Sequence, residues 1–209
     1  MAKVKHTKTE LKAQRDALRR YERFLPMLQL KKQQLQVEIQ AVTARHDEKA
    51  AAEARLREDL DRWIKLLSEP AGLDRLVAVE AVIVEEGNIA GVAIPIFKDV
   101  RLRVEDYDLF LTPLWVDDAV QAVSALIRLR AELQTLETQR RLIMEELRVT
   151  AQRVNLFEKV KLPECRENIR VIRIYLGDEQ TAGVARGKIA KRRATDEADA
   201  QQAGEGVAA

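Results

Sequence analysis

Few residues in this chain could carry reactive chemistry. Two histidines, His6 and His46, lie far apart, with no cysteine or carboxylate array at the spacing a zinc site uses. The one cysteine, Cys165, has no histidine near it in sequence to act as a base, so it reads as a small apolar core residue and not as a nucleophile. Gly183-Val-Ala-Arg-Gly187-Lys188-Ile189 imitates a phosphate loop but fails its requirements: three residues separate the glycines where four are needed, and Ile189 stands where Ser or Thr would hold magnesium. No paired carboxylates, Ser-His pattern or dinucleotide fingerprint appears. The expectation is a chain with no intrinsic active site, no cofactor and no metal.

Charge narrows the partners. The 36 basic and 34 acidic residues nearly cancel, leaving a formal net charge of +2, and both signs are interspersed along most of the sequence. Nucleic-acid binding usually needs a concentrated basic face. The one dense basic cluster is Arg186, Lys188, Lys191, Arg192 and Arg193, so no nucleic-acid partner is expected. No apolar run approaches the ~20 residues that cross a bilayer, and the N-terminus lacks the apolar core of a signal peptide. A single cysteine favours a reducing compartment. These features together predict a cytoplasmic protein without direct membrane insertion.

The elements that would position any functional residue are long helices. Ala, Glu, Lys, Leu and Arg make up about half of the 209 residues, whereas glycine and proline contribute only 8 and 5, the bias of long helices or coiled coils. From residue 8 to 68 there is one proline, Pro26, and the apolar residues follow a heptad. One seam runs Leu11, Leu18, Leu25, Lys32, Ile39, His46, Glu53, Leu60, Leu67; the other runs Gln14, Tyr21, Leu28, Leu35, Val42, Lys49, Leu56, Trp63. Such a stripe needs a partner helix wound left-handedly against it. His46 and Lys49 interrupt it, roughly level with Arg140: polar residues that break up the core or snorkel to water, or a softened segment where a second protein docks.

Between Pro70 and Pro113 the texture changes. Leu76 to Val84 is rich in β-branched residues and reads as a strand. Turn chemistry follows at Glu85 to Gly91, then a second strand at Val92 to Phe97 interrupted by Pro95, and a third short strand at Arg101 to Glu105. Thr112 and Pro113 are placed to cap and start a helix. Its seam runs Ala119, Ala122, Leu126, Leu129, Leu133, Leu136, Arg140, Ile143, Leu147, Thr150, Val154, Phe157. The phase then slips by about one residue, to Leu162, Cys165, Ile169, Ile172 and Leu176, with Pro163 inside the slip.

The predicted architecture is mainly α: a long antiparallel two-helix left-handed coiled coil with a small β-hairpin-containing insert between the helices. The expected divisions are a first helix over 1–70, the insert over 71–114, a second helix over 115–193, and a disordered tail over 194–209. Level partners across the hairpin should have residue numbers adding to about 183. Pro26 and Pro163 then lie within about two turns of each other, and both can bend the pair. Sixty to eighty helical residues at ~1.5 Å each predict a rod roughly 90 to 120 Å long.

Several of these segments carry a resemblance. Thr7-Lys-x-x-Leu11, Asn88-Ile-Ala-Gly-Val92 followed by Pro95, Thr112-Pro-Leu-Trp-Val-Asp117, Arg153-Val-Asn-Leu-Phe-Glu158, Leu162-Pro163-Glu164, Leu176-Gly-Asp178 and Lys188-Ile-Ala-Lys191 occur in an order spanning nearly the whole chain. In these the chain resembles the D subunit of the V-type and A-type rotary ATPases, the central-stalk counterpart of the F-type gamma subunit. It departs from that family's usual first helix at Tyr21 to Lys32. The resemblance implies a rotor shaft that transmits torque between a hexamer of alternating A and B subunits and the membrane ring, coupling ATP synthesis or hydrolysis to H⁺ or Na⁺ transport. It implies the F subunit and the C subunit (d in eukaryotic naming) as further partners, nucleotide chemistry confined to A and B, and a location peripheral to the membrane. It places Arg186, Lys188, Lys191, Arg192 and Arg193 in the hexamer cavity, with the insert at the other end. The alternative from composition and periodicity alone is a free-standing coiled-coil adapter or tether.

Overall fold

Helix α1 starts because Thr7 caps it: the Thr7 hydroxyl oxygen accepts the Glu10 amide at 3.2 Å, three residues in, where a capping box has its acid. The computed structural model describes residues 4–62, 76–108 and 112–205, and α1 covers Lys8–Asp61. It contains Pro26 without ending there. Trp63 and Leu67 of the predicted seams, and the start of the insert, lie outside the described residues. Every described member of both seams is buried or half-buried, including the polar Lys32, His46, Lys49 and Glu53.

The insert is one antiparallel hairpin of β1 (Val77–Ile89) and β2 (Val92–Val104). The sequence pattern suggests three strands. The second and third are one, because Pro95 and the two register irregularities, at Val79/Ala81 and Ile83/Val84, are absorbed without breaking the pairing. A proline can sit at the edge of a sheet, and a two-stranded sheet is all edge. The connection is also tighter than expected. Asn88 and Ile89 still pair, and only Ala90 and Gly91 turn, with φ of 51° and 83°. Two consecutive positive φ values are the type I′ arrangement whose twist suits a hairpin. The Asn88 side-chain oxygen accepts the Gly91 amide at 2.9 Å and closes it.

Helix α2 (Val116–Leu156) passes through a π-helical turn, Phe157–Lys161, into α3 (Leu162–Glu205). Thr112 does not cap α2. Its hydroxyl donates to the Asp108 carbonyl at 2.8 Å, and the helix opens at Val116 with Asp117 and Asp118 favourably placed in its first turn. Helical backbone also continues to Glu205, past Arg193, where the sequence pattern puts the start of a disordered tail. Ala, Glu and Gln dominate that stretch and no proline interrupts it, so nothing local stops the helix.

The π turn accounts for the phase slip. Its i to i+5 pairing, seen where the Leu162 amide donates to the Phe157 carbonyl, accommodates one residue more than an α turn. The seam before it (Val154) and after it (Leu162, Cys165, Ile169, Ile172) is therefore buried on both sides. Pro163, which has no amide to donate, sits immediately after the widened turn.

Two compact units make up the chain. The first combines residues 1–27 with 154–209; the second is 28–153. In the second, α1 and α2 run antiparallel: Lys31 pairs with Glu146 at 2.6 Å, Lys49 with Glu132 at 3.0 Å, and Glu53 with Arg130 at 3.4 Å. The residue numbers in each pair add to between 177 and 183, as a hairpin register requires. Leu35 and Val42 of α1, Leu136 and Ile143 of α2 and Ile94 of β2 form one core, so the hairpin is packed onto the helices. Pro95, which cannot donate to the ladder, offers its carbonyl to the Gln139 side chain. Each buried side chain of this cluster removes enough apolar surface to contribute about 1.5–3 kcal/mol before ordering costs.

In the first unit the same antiparallel pairing is carried by Gln14 with Asn168, Glu22 with Arg166 at 3.1 Å, and the ring pairs Tyr21–Phe157 and His6–Tyr175 at 4.9 and 4.7 Å.

Candidate functional site

A helix packed on its own chain buries a stripe along one face. From Gly177 to Asp196 every residue of α3 is exposed. Val184 and Ile189 are 61% and 56% exposed, in a segment that also holds Gly177, Gly183 and Gly187. None of these three glycines has a heavy atom within 4 Å of where a Cβ would stand. They are therefore not needed for close packing inside this chain.

All five predicted contact residues lie on this bare stretch and are exposed. Among the described residues, none of their side chains is in an ion pair or hydrogen bond. At 100° per residue, Arg186, Lys188, Lys191, Arg192 and Arg193 fall on several sides of the helix and not along one stripe, with one open arc between Arg186 and Lys191. Such a surface presents charge on more than one side of the helix. Gly183 to Ile189 is helix throughout, which rules out a phosphate-cradling loop there. Pro26 and Pro163 are exposed members of the first unit.

The histidines and the cysteine are accounted for by packing. His46 has a ring nitrogen 3.3 Å from the Asp47 carboxylate, and the other is 3.9 Å from Glu137. His6 rests against Tyr175. Cys165 is buried on the seam, and burial, helped by the neighbouring Glu164 carboxylate, pushes its thiol pKa up. That is the opposite of the shift a nucleophile needs. Among the described residues there is no group of three or more metal-ligating side chains, and no helix is long and apolar enough to cross a membrane.

Two surfaces are not evident from local sequence patterns. One is the hairpin's exposed apolar set, Val79, Val82, Val84, Ile96 and Val104; the β-branched run of β1 is visible in the sequence, but not that most of it stays exposed. The other is a groove in the first unit walled by Arg15 and Arg19 on α1 and Arg166 and Arg173 on α3. The four-residue spacing of the first pair and the seven-residue spacing of the second each mark one helix face. Only the antiparallel register brings the two faces together.

The model of the ATP synthase D subunit family matches residues 10–192 of this chain. The V-type ATP synthase D subunit of Borreliella burgdorferi is 46% identical over 191 residues, covering 91% of this chain and 95% of that protein. The proteins of the same name from Chlamydia muridarum and Chlamydia abortus are 32% and 33% identical over 195 residues, covering 92% of this chain and 96% and 94% of theirs.

Proposed function

The chain belongs to the ATP synthase D subunit family, and from that premise we propose that it is the non-catalytic central rotor shaft of a V-type ATP synthase. In this reading it turns inside a hexamer of A and B subunits with the F subunit bound to it. It reaches the membrane ring through the C subunit and works peripherally to the membrane, on the cytoplasmic side. Torque passes in either direction, so the same chain serves ATP synthesis or hydrolysis coupled to H⁺ or Na⁺ movement.

The observation that carries the reading is the bare helix. A segment of twenty residues, Gly177 to Asp196, that buries none of its faces against its own chain suits insertion into a cavity formed by other subunits. Its cations are spread unevenly over several sides of the helix, and a rotor can bias three similar catalytic subunits only by touching them unequally. Exposed ionic contacts are individually weak, so no single orientation becomes a trap.

Coupling measured on the assembled complex tests this. Neutralising Arg186, Lys188, Lys191, Arg192 and Arg193 together, each to Gln, is expected to lower ion transport per ATP hydrolysed while the complex still assembles. Unchanged coupling would discard the role given to these residues. Absence of F-like, A and B chains from a pull-down of the unaltered protein would discard the shaft itself and favour a free-standing coiled-coil adapter.

A further inference from the structure

We propose that the arginine groove of the first unit seats an acidic segment of a neighbouring subunit, through carboxylates set along that segment. The inference rests on the reading of this chain as part of a multisubunit ATPase, and it assigns a partner chemistry to a surface separate from the five cations of the bare helix.

The groove encloses about 620 Å³ between α1 and α3. Four guanidinium groups line it against one carboxylate, Glu22, which is already held by Arg166 at 3.1 Å. Arg15, Arg19 and Arg173 have no ion-pair partner among the described residues. Three unpaired like charges on facing helices repel one another, and an anion between them turns that repulsion into attraction. The side chains stand on helices whose packing is fixed underneath by Ile169, which is buried, and Leu18, which is half-buried. The cations therefore project from a rigid base, and the planar fork of arginine is suited to carboxylates.

Spacing and surroundings select the occupant. Arg15 and Arg19 are one helical turn apart, about 6 Å of rise, and Arg166 and Arg173 are two turns apart, about 10 Å. Carboxylates on successive turns of a helix, or on alternate residues of an extended segment, match such intervals. The apolar floor gives an intervening aliphatic side chain somewhere to rest. A nucleic acid is a poor match, because the Glu22 carboxylate lines the same groove and would oppose a continuous phosphate backbone. A free phosphate is also a poor match: all four arginines are exposed, so no donor is shielded from water in the way a small-anion site requires.

The test uses the assembled complex. Arg15→Lys, Arg19→Lys and Arg173→Lys keep the charge but introduce amines that a carbodiimide can couple to carboxylates. Mass spectrometry is expected to map new cross-links from these three positions to Asp or Glu of another subunit, absent from the unaltered complex and suppressed by high salt. In parallel, Arg15→Glu with Arg173→Glu is expected to raise subunit loss during salt washes at least tenfold, while circular dichroism shows the isolated chain still helical. Cross-links confined to this chain, for example to Glu22 or Glu167, in a complex that is demonstrably assembled would overturn the proposal. So would a charge-reversed chain retained as well as the unaltered one. If the unaltered chain assembles with no other subunit, the shaft reading has failed and the groove's occupant falls with it, an outcome told apart by the missing complex.

Discussion

The two units of this chain are built from the same pair of helical strands of sequence, yet they differ in what covers them. In residues 28–153 the helices share their core with a β-hairpin: Ile94 is buried among Leu35, Val42, Leu136 and Ile143, and the seam residues Lys49 and Glu53 pair with Glu132 and Arg130, with Lys31–Glu146 as a further pair between the helices. Glu53, the one buried carboxylate on α1 among the described residues, is also held by Arg57 at 2.7 Å. In residues 1–27 and 154–209 no third element is seen among the described residues. The seam narrows to Val154, Leu162, Cys165, Ile169 and Ile172, three arginines of the groove lack partners among the described residues, and α3 then continues with nothing buried from Gly177 to Asp196. One unit pairs the charges between its helices and shares a core with the hairpin, although the hairpin's outer valines stay exposed. The other has three groove arginines without a partner among the described residues and a twenty-residue helical segment with no buried face.

That contrast can be broken by mutation. Ile143→Ala empties a fully buried site and is expected to cost about 2–5 kcal/mol in urea denaturation, whereas Val184→Ala on the bare helix should leave the midpoint unchanged within about 0.5 kcal/mol. Equal effects would mean that the bare helix is packed after all. A second test addresses the π turn. Deleting Lys159 restores an uninterrupted α repeat and keeps Leu162 to Ile172 on the seam, so the expected loss is confined to seating Pro163 in a regular helix, about 3 kcal/mol. Adding Pro163→Ala in the same background should recover most of it. A deletion whose loss the alanine does not relieve would show that the turn does more than adjust phase. The smallest effect sharpens the comparison at the far end of α3. Gly183→Ala and Gly187→Ala fill open space, and each is expected to favour helix by about 1 kcal/mol, read as slower amide exchange in that segment with no change in the melting of residues 28–153.

Much of this architecture is legible in the sequence. The heptad seams locate the buried face of α1 to the residue, because a repeat sustained over many turns admits few other arrangements. The slip after Phe157 is visible as a change of phase. Its cause is not, since a proline kink and a π turn leave the same trace in a single sequence. The hairpin is harder. Pro95 suggests a break because prolines usually interrupt ladders, but the register places it where its carbonyl, not its missing amide, has the structural task. Ala90 also conceals the turn: an alanine at positive φ carries no sequence signal, and Gly91 beside it is the only hint. The five basic residues of α3 can be found by composition, whereas the arginine groove requires pairing two distant segments first. Proximity that arises only from tertiary register cannot be read from local spacing.

The π turn has a practical consequence for anyone recombining this chain with a relative. Residues on either side of Phe157–Lys161 belong to two different counting frames, so a template carried straight across misassigns every face beyond it. Read in the first frame, Lys161, Glu164, Asn168 and Val171 would be inward and Arg166 and Arg173 would be displaced from the groove. A crossover placed inside those five residues must therefore preserve their number, whatever their identity. One placed elsewhere in α2 or α3 is free of that constraint only if both parents carry the same extra residue.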